Sequence, residues 1–150
     1  MYQLLLYIHI ISATVWVGGA LVVQALAIRV SRSDDPEDLP RLGGHMVALG
    51  NYLFVPAAAL LLISGAWMTF EAWGFGQVWI MASLLLWVLS AVAGALYLAP
   101  RAKRAVQLFE AEGPTSPAAL SLIRRMFLVS RLELVSFAIV IALMVFKPGV

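Results

Sequence analysis

The chain contains no cysteine. Disulfides, thiolate metal sites and iron–sulfur clusters are thereby excluded, so any metal would have to be held by His, Met or carboxylate. Charge is scarce as well: 12% of the 150 residues are Asp, Glu, Lys or Arg, against 63% that are apolar. With a mean hydropathy of +0.95, the chain is too apolar for a soluble domain of its length and reads as an integral membrane protein. Nucleophile triads, Gly-rich phosphate loops and paired-carboxylate motifs are missing too, which argues against a hydrolase or an ATP-driven pump. The first ten residues, MYQLLLYIHI, lack Lys and Arg and lead into no convincing cleavage site, so this segment reads as a retained span, not a secretory signal.

What is present is long apolar runs. A bilayer core about 30 Å thick needs roughly 20 apolar residues in a helix. Four runs qualify, about 3–29, 45–70, 77–99 and 126–146. The expectation is an all-α transmembrane four-helix bundle forming a single domain over residues 1–150. The stretch "RVSRSDDPEDLPRL" is a polar loop that cannot cross lipid. The stretch "PRAKRAVQLFEAEGPTSPAALSLIRR" reads as a helical extension, a break at Gly113 and Pro114, and a restart with Ser116 as N-cap and Pro117 at the first helical position.

Arg29, Arg32, Arg41, Arg101, Lys103, Arg104, Arg124, Arg125 and Arg131 all fall on the side of loops 30–44 and 100–125, leaving only Lys147 opposite. The positive-inside rule makes those loops cytoplasmic and puts both termini outside. Topology also explains the pI near 9.3 without invoking nucleic acid. Trp67, Trp73 and Trp79 cluster near the short loop "EAWGFGQVW" as an outer aromatic belt.

Several features have packing explanations. Ser90 and Gly94, with Ala91 and Ala95, form small-xxx-small pairs that let helix backbones approach. Pro56 removes a backbone donor and frees the Tyr52 carbonyl, which predicts a kink repaired by a neighbouring group. Gly18, Gly19, Gly50 and Gly65 allow either tight helix contact or approach of a flat cofactor.

Polar side chains inside hydrocarbon face the bundle interior and often carry function. His9 lies roughly 9 Å inside the first span, counted at 1.5 Å per residue. It shares a helical face with Ser12, Ala13, Trp16, Ala20, Val23 and Ala27. A stripe of small residues faces other helices, so His9 points into the bundle, either donating to a carbonyl or hydroxyl there or serving as a ligand. His45 starts the second, antiparallel span, more than ten residues from His9 along the membrane normal. One ion cannot take both within one subunit, although pairing across a homo-oligomer stays open.

Arg131 and Glu133, at i and i+2, sit on opposite faces of the fourth span and do not pair. Glu133 matches Gln24 or Asn51 in depth, and His45, Asn51, Arg131 and Glu133 form a candidate intramembrane relay for a proton or cation. Met68, Met81 and Met144 lie near the outer ends of their helices, on the His9 side. Thioether with imidazole suits Cu(I), and a His–Met pair can hold haem iron.

The segments "HIISATVWVGGAL", "RLGGHMVALGNYLFVPAAALLLISGAWM" and "LMVFKPG" resemble a group of small bacterial inner-membrane proteins. The group comprises an uncharacterised predicted integral-membrane family, the copper resistance D family and the membrane protoporphyrinogen oxidase of haem biosynthesis. The resemblance places His9 where the group has its first-helix histidine, a metal or haem ligand. The oxidases also have a lysine early in the third helix and a histidine towards its end, and "GQVWIMASLLLWVLSAVAGALYLAP" has neither. Copper resistance D proteins carry this unit inside a larger multi-span chain.

The leading expectation is a cofactor-binding membrane protein that holds b-type haem through His9 for electron transfer or redox chemistry, with Trp16, Gly18 and Gly19 shaping the pocket. No second axial ligand is evident at that depth. One alternative is a copper-handling transport protein using His9, Met68, Met81 and Met144. Another is a non-catalytic accessory subunit whose partners are the lipid bilayer and a homo-oligomer or larger membrane complex.

Overall fold

A hydrophobic chain in hydrocarbon must satisfy its own backbone, and helices do so locally. The computed structural model, which describes residues 1–149, contains four helices long and apolar enough to cross a membrane: α1 (Tyr2–Val30), α2 (Asp38–Trp73), α3 (Val78–Glu112) and α4 (Pro117–Phe146). Among the described residues there is no strand. Both termini lie at one end, here called the terminal end, and the α1–α2 and α3–α4 connections lie at the other, the basic end.

One cluster joins all four helices at the terminal end. Trp73 Nε1 at the end of α2 donates to the Tyr2 hydroxyl of α1 at 3.3 Å, and the Trp73 and Trp79 rings meet edge to face at 5.5 Å. Lys147, just beyond α4, holds its Nζ 4.3 Å from the Trp73 ring centroid and 5.8 Å from that of Trp79. Indole faces attract a cation, and amphipathic rings suit the membrane–water boundary.

Deeper in, Trp16 of α1 meets Trp87 of α3 at 6.3 Å and Phe137 of α4 at 5.0 Å. Gly19 lies so close to α2 that a Cβ there would come within 2.8 Å of Phe54 Cε1. At the basic end Ala105 and Phe109 of α3 pack against Ala119 and Ile123 of α4, forming a buried apolar cluster.

Two helices contain a π turn of the same design. In α2 it spans Gly50–Phe54, with the Val55 N–H bonded to the Gly50 carbonyl. In α3 it spans Ala93–Leu98, with the Ala99 N–H bonded to the Gly94 carbonyl. Each turn runs directly into a proline, Pro56 or Pro100. The proline ring would clash with the carbonyl four residues back in a regular helix, and the wider turn relieves that clash. The adjustment expected at Pro56 is thus made within the helix itself. It leaves the carbonyls of Asn51 and Ala95 without their usual donors: the i+4 N–H is committed elsewhere and the i+5 residue is proline.

Helix α2 begins at Asp38, so His45 sits about two turns inside the helix and does not start it, as the apolar run had suggested. Pro40 is tolerated because the first turn has no intrahelical donors to lose. The α3–α4 break falls where Gly113 takes φ 90°, and Ser116 caps α4 by accepting from the Ala119 N–H at 3.2 Å while donating to Glu112 at 2.5 Å.

Ser116 is 2% exposed, so its replacement strands a buried amide. Ser116→Ala is expected to destabilise the protein by about 1–2 kcal/mol, measured by denaturant titration in detergent.

A candidate ligand site around His9

Helix α1 presents His9 to α2, where its Nδ1 lies 3.1 Å from the Leu61 carbonyl and 3.1 Å from Ser64 Oγ. A carbonyl can only accept, so Nδ1 is the donor and carries the proton. Ser64 fits the same assignment, because its hydroxyl donates to the Leu60 carbonyl at 2.6 Å and leaves the oxygen to accept from the ring. Nε2 is left with its lone pair, and it makes no hydrogen bond among the described residues. A metal-ligating histidine is commonly held in this way, by a carbonyl on the other ring nitrogen.

The ring reaches α2 because Gly65 yields the space. A Cβ on Gly65 would stand 2.9 Å from His9 Cε1 and 3.3 Å from Nδ1. Ser64 is 2% exposed, so hydrocarbon is kept from the hydrogen-bonded edge of the imidazole. One turn further toward the terminal end, on the Ser64 face of α2, Met68 is buried as well.

The other expected site residues are distributed unequally around His9. Trp16 shares its face two turns deeper and packs on Trp87 and Phe137. Gly19 is a helix contact against Phe54, whereas Gly18, nine residues and so half a turn around from His9, has no atom within 4 Å of its notional Cβ. Met81 is 47% exposed on α3, and Met144 is half-buried on α4. His45 lies on α2 roughly 24 Å from Leu61 along the helix, at 1.5 Å per residue, and is exposed. Asn51 and Arg131 are exposed too, while Glu133 is half-buried. The structure therefore brings Ser64 and Gly65 against His9, sets Met68 one turn along α2, and leaves His45, Asn51 and Arg131 on the periphery.

Leu61, through its carbonyl, and Ser64 are the partners that sequence reasoning missed. The available signal was the adjacent small pair Ser64–Gly65, at the depth where an antiparallel second helix passes His9.

Alanine substitutions at two glycines test the contact. Gly65→Ala should push the imidazole away and destabilise the α1–α2 pair by about 1–3 kcal/mol. Gly18→Ala, with open space beyond it, should stabilise by up to about 1 kcal/mol through helix propensity. Unfolding midpoints of the two variants in the same detergent read the difference directly.

No curated protein and no solved structure matches the chain. The family described as "Predicted integral membrane protein (DUF2269)" matches residues 3–148. With nearly the whole chain covered and four membrane-length helices in place, this protein belongs to that family of predicted integral membrane proteins.

Proposed function

We propose that the protein is a cofactor-binding unit of a bacterial inner membrane, in which His9 Nε2 would hold b-type haem. The observation that supports this reading is the Nδ1 hydrogen bond to the Leu61 carbonyl at 3.1 Å, which leaves Nε2 unpartnered. The resemblance of the His9–Gly19 segment to the copper resistance D and protoporphyrinogen oxidase families points the same way. The positive-inside rule puts the basic end in the cytoplasm, so His9 lies in the outer half of the membrane.

The donor set suits the group on the side that this chain supplies: one imidazole, with its tautomer fixed by a carbonyl and a serine and its ring seated against Gly65. Bound haem would supply one-electron iron chemistry. The chain's own part is to orient the ring, keep Nδ1 protonated and bury that edge away from water. Trp16, two turns below, closes the bundle interior beneath the site with Trp87 and Phe137.

A second reading, Cu(I) handling, is favoured by one observation: Met68, alone among the three expected methionines, is buried on the helix face that also carries Ser64. Imidazole with thioether is a soft ligand pair suited to that ion.

An absorption spectrum of the purified protein, with and without added haem, distinguishes the two. Haem binding should give a Soret band that His9→Ala abolishes and His45→Ala retains. Ser64→Ala should weaken haem affinity by roughly 10-fold or more, as loss of an outer-shell partner does. A preparation that stays colourless after haem supplementation overturns the haem reading. Bound copper that is lost in both His9→Ala and Met68→Ala would then establish the second.

A further inference from the structure

A second polar site lies deeper, towards the basic end, and its first member is Gln24. This residue of α1 is 6% exposed, and neither Nε2 nor Oε1 of its amide has a partner among the described residues. Buried amides are normally satisfied, and an unmet one in hydrocarbon is strongly unfavourable.

Helix register shows what surrounds that level. Trp16 meets Trp87, and α1 and α3 run parallel, so eight residues further along α3 lies Ala95, inside the π turn Ala93–Leu98. Gly19 meets Phe54, and α1 and α2 run antiparallel, so Gln24 is level with the start of the π turn Gly50–Phe54. Both proline-linked π turns therefore fall at one depth, the depth of the unpartnered amide, while the third π turn, Thr69–Trp73, closes α2 at the terminal end. Such turns occur frequently at functional sites.

The fourth helix adds a carboxylate. Glu133 stands one turn before Phe137, which packs on Trp16, so it projects on the same side of α4 and lies level with Ala20, about 6 Å short of Gln24 towards the terminal end. It is half-buried and forms no ion pair or side-chain hydrogen bond among the described residues. Helical side chains lean towards the N-terminus of their own helix. In the antiparallel pair α1 and α4, Gln24 and Glu133 consequently lean towards each other.

The geometry points to a binding site for a small monovalent cation, a proton or Na⁺, between Gln24 and Glu133, on the terminal-end side of the two proline-linked π turns. The Glu133 carboxylate supplies the charge and Gln24 Oε1 a neutral oxygen, while the Gln24 amide N–H can donate to the second carboxylate oxygen. No basic side chain competes for the place. Arg131 on α4 and His45 on α2 are exposed, Arg101 of α3 lies over the Tyr97 ring at 3.5 Å, and Arg29 is exposed beyond Gln24 on α1. The site is separate from His9 and does not depend on the haem reading.

Thermal unfolding of the purified chain in detergent, with NaCl exchanged for choline chloride at constant ionic strength and repeated across pH, tests the site. If Na⁺ is the occupant, the midpoint should rise by about 5 °C at saturating NaCl. If a proton is, the midpoint should ignore Na⁺ and change with pH. Glu133→Gln and Gln24→Ala should remove the response. Gln24→Glu, which adds a second carboxylate without deleting the first, should lower the half-saturating Na⁺ concentration roughly 10-fold or enlarge the pH response. A wild-type midpoint indifferent to both ions, or a response unaltered in Gln24→Ala, Gln24→Glu and Glu133→Gln, would overturn the proposal.

Discussion

Hydrocarbon offers no hydrogen-bond partner, so each polar group that this chain carries into the membrane must be answered by the protein itself. Several hydroxyls are answered within their own helix: Thr14 donates to Ile10, Ser83 to Trp79 and Thr69 to Gly65, each four residues back along the same helix. An imidazole is too large and too rigid for that solution. His9 reaches across to α2 instead, and the same requirement that satisfies the ring also ties the first two helices together. Gly65 and Gly19 make the approach close enough, one beneath the imidazole and the other beneath Phe54.

That link has a chemical consequence. Because Leu61 can only accept, the ring proton sits on Nδ1, and the nitrogen able to bind a metal is the one left free. A purely structural histidine would need only one hydrogen bond and no particular neighbour. Here the ring is seated on a glycine, hydrogen-bonded on one edge by two acceptors, and accompanied on the adjoining turn by a buried methionine. The contacts that pack the ring between the two helices are the same ones that fix its tautomer.

Much of the scaffold could be read from the amino-acid order. The four apolar runs, the restart at Ser116 and Pro117 and the inward direction of His9 all follow from composition, capping chemistry and the small-residue stripe. The partner of His9 could not be read so easily, because it is a backbone carbonyl together with one serine among many. The π turns were also hidden, since a proline announces a disturbance but not its form. In hindsight, glycine six residues before proline recurs in "GNYLFVP" and "GALYLAP", and both segments make the same turn. Arg131 and Glu133 show the limit of depth arguments: two residues apart, one is exposed and the other half-buried, and helix azimuth decides which. Gln24 was legible as a polar residue in a span, but only the packed bundle reveals that both ends of its amide lack a partner.

The most direct test of the His9 arrangement is solid-state NMR of the selectively labelled imidazole in lipid bilayers, with carbon labelling at Leu61. A protonated Nδ1 in through-space contact with the Leu61 carbonyl, and an unprotonated Nε2 whose signal shifts when haem is added, is the expected result. A ring protonated at Nε2, or one without contact to Leu61, would contradict it.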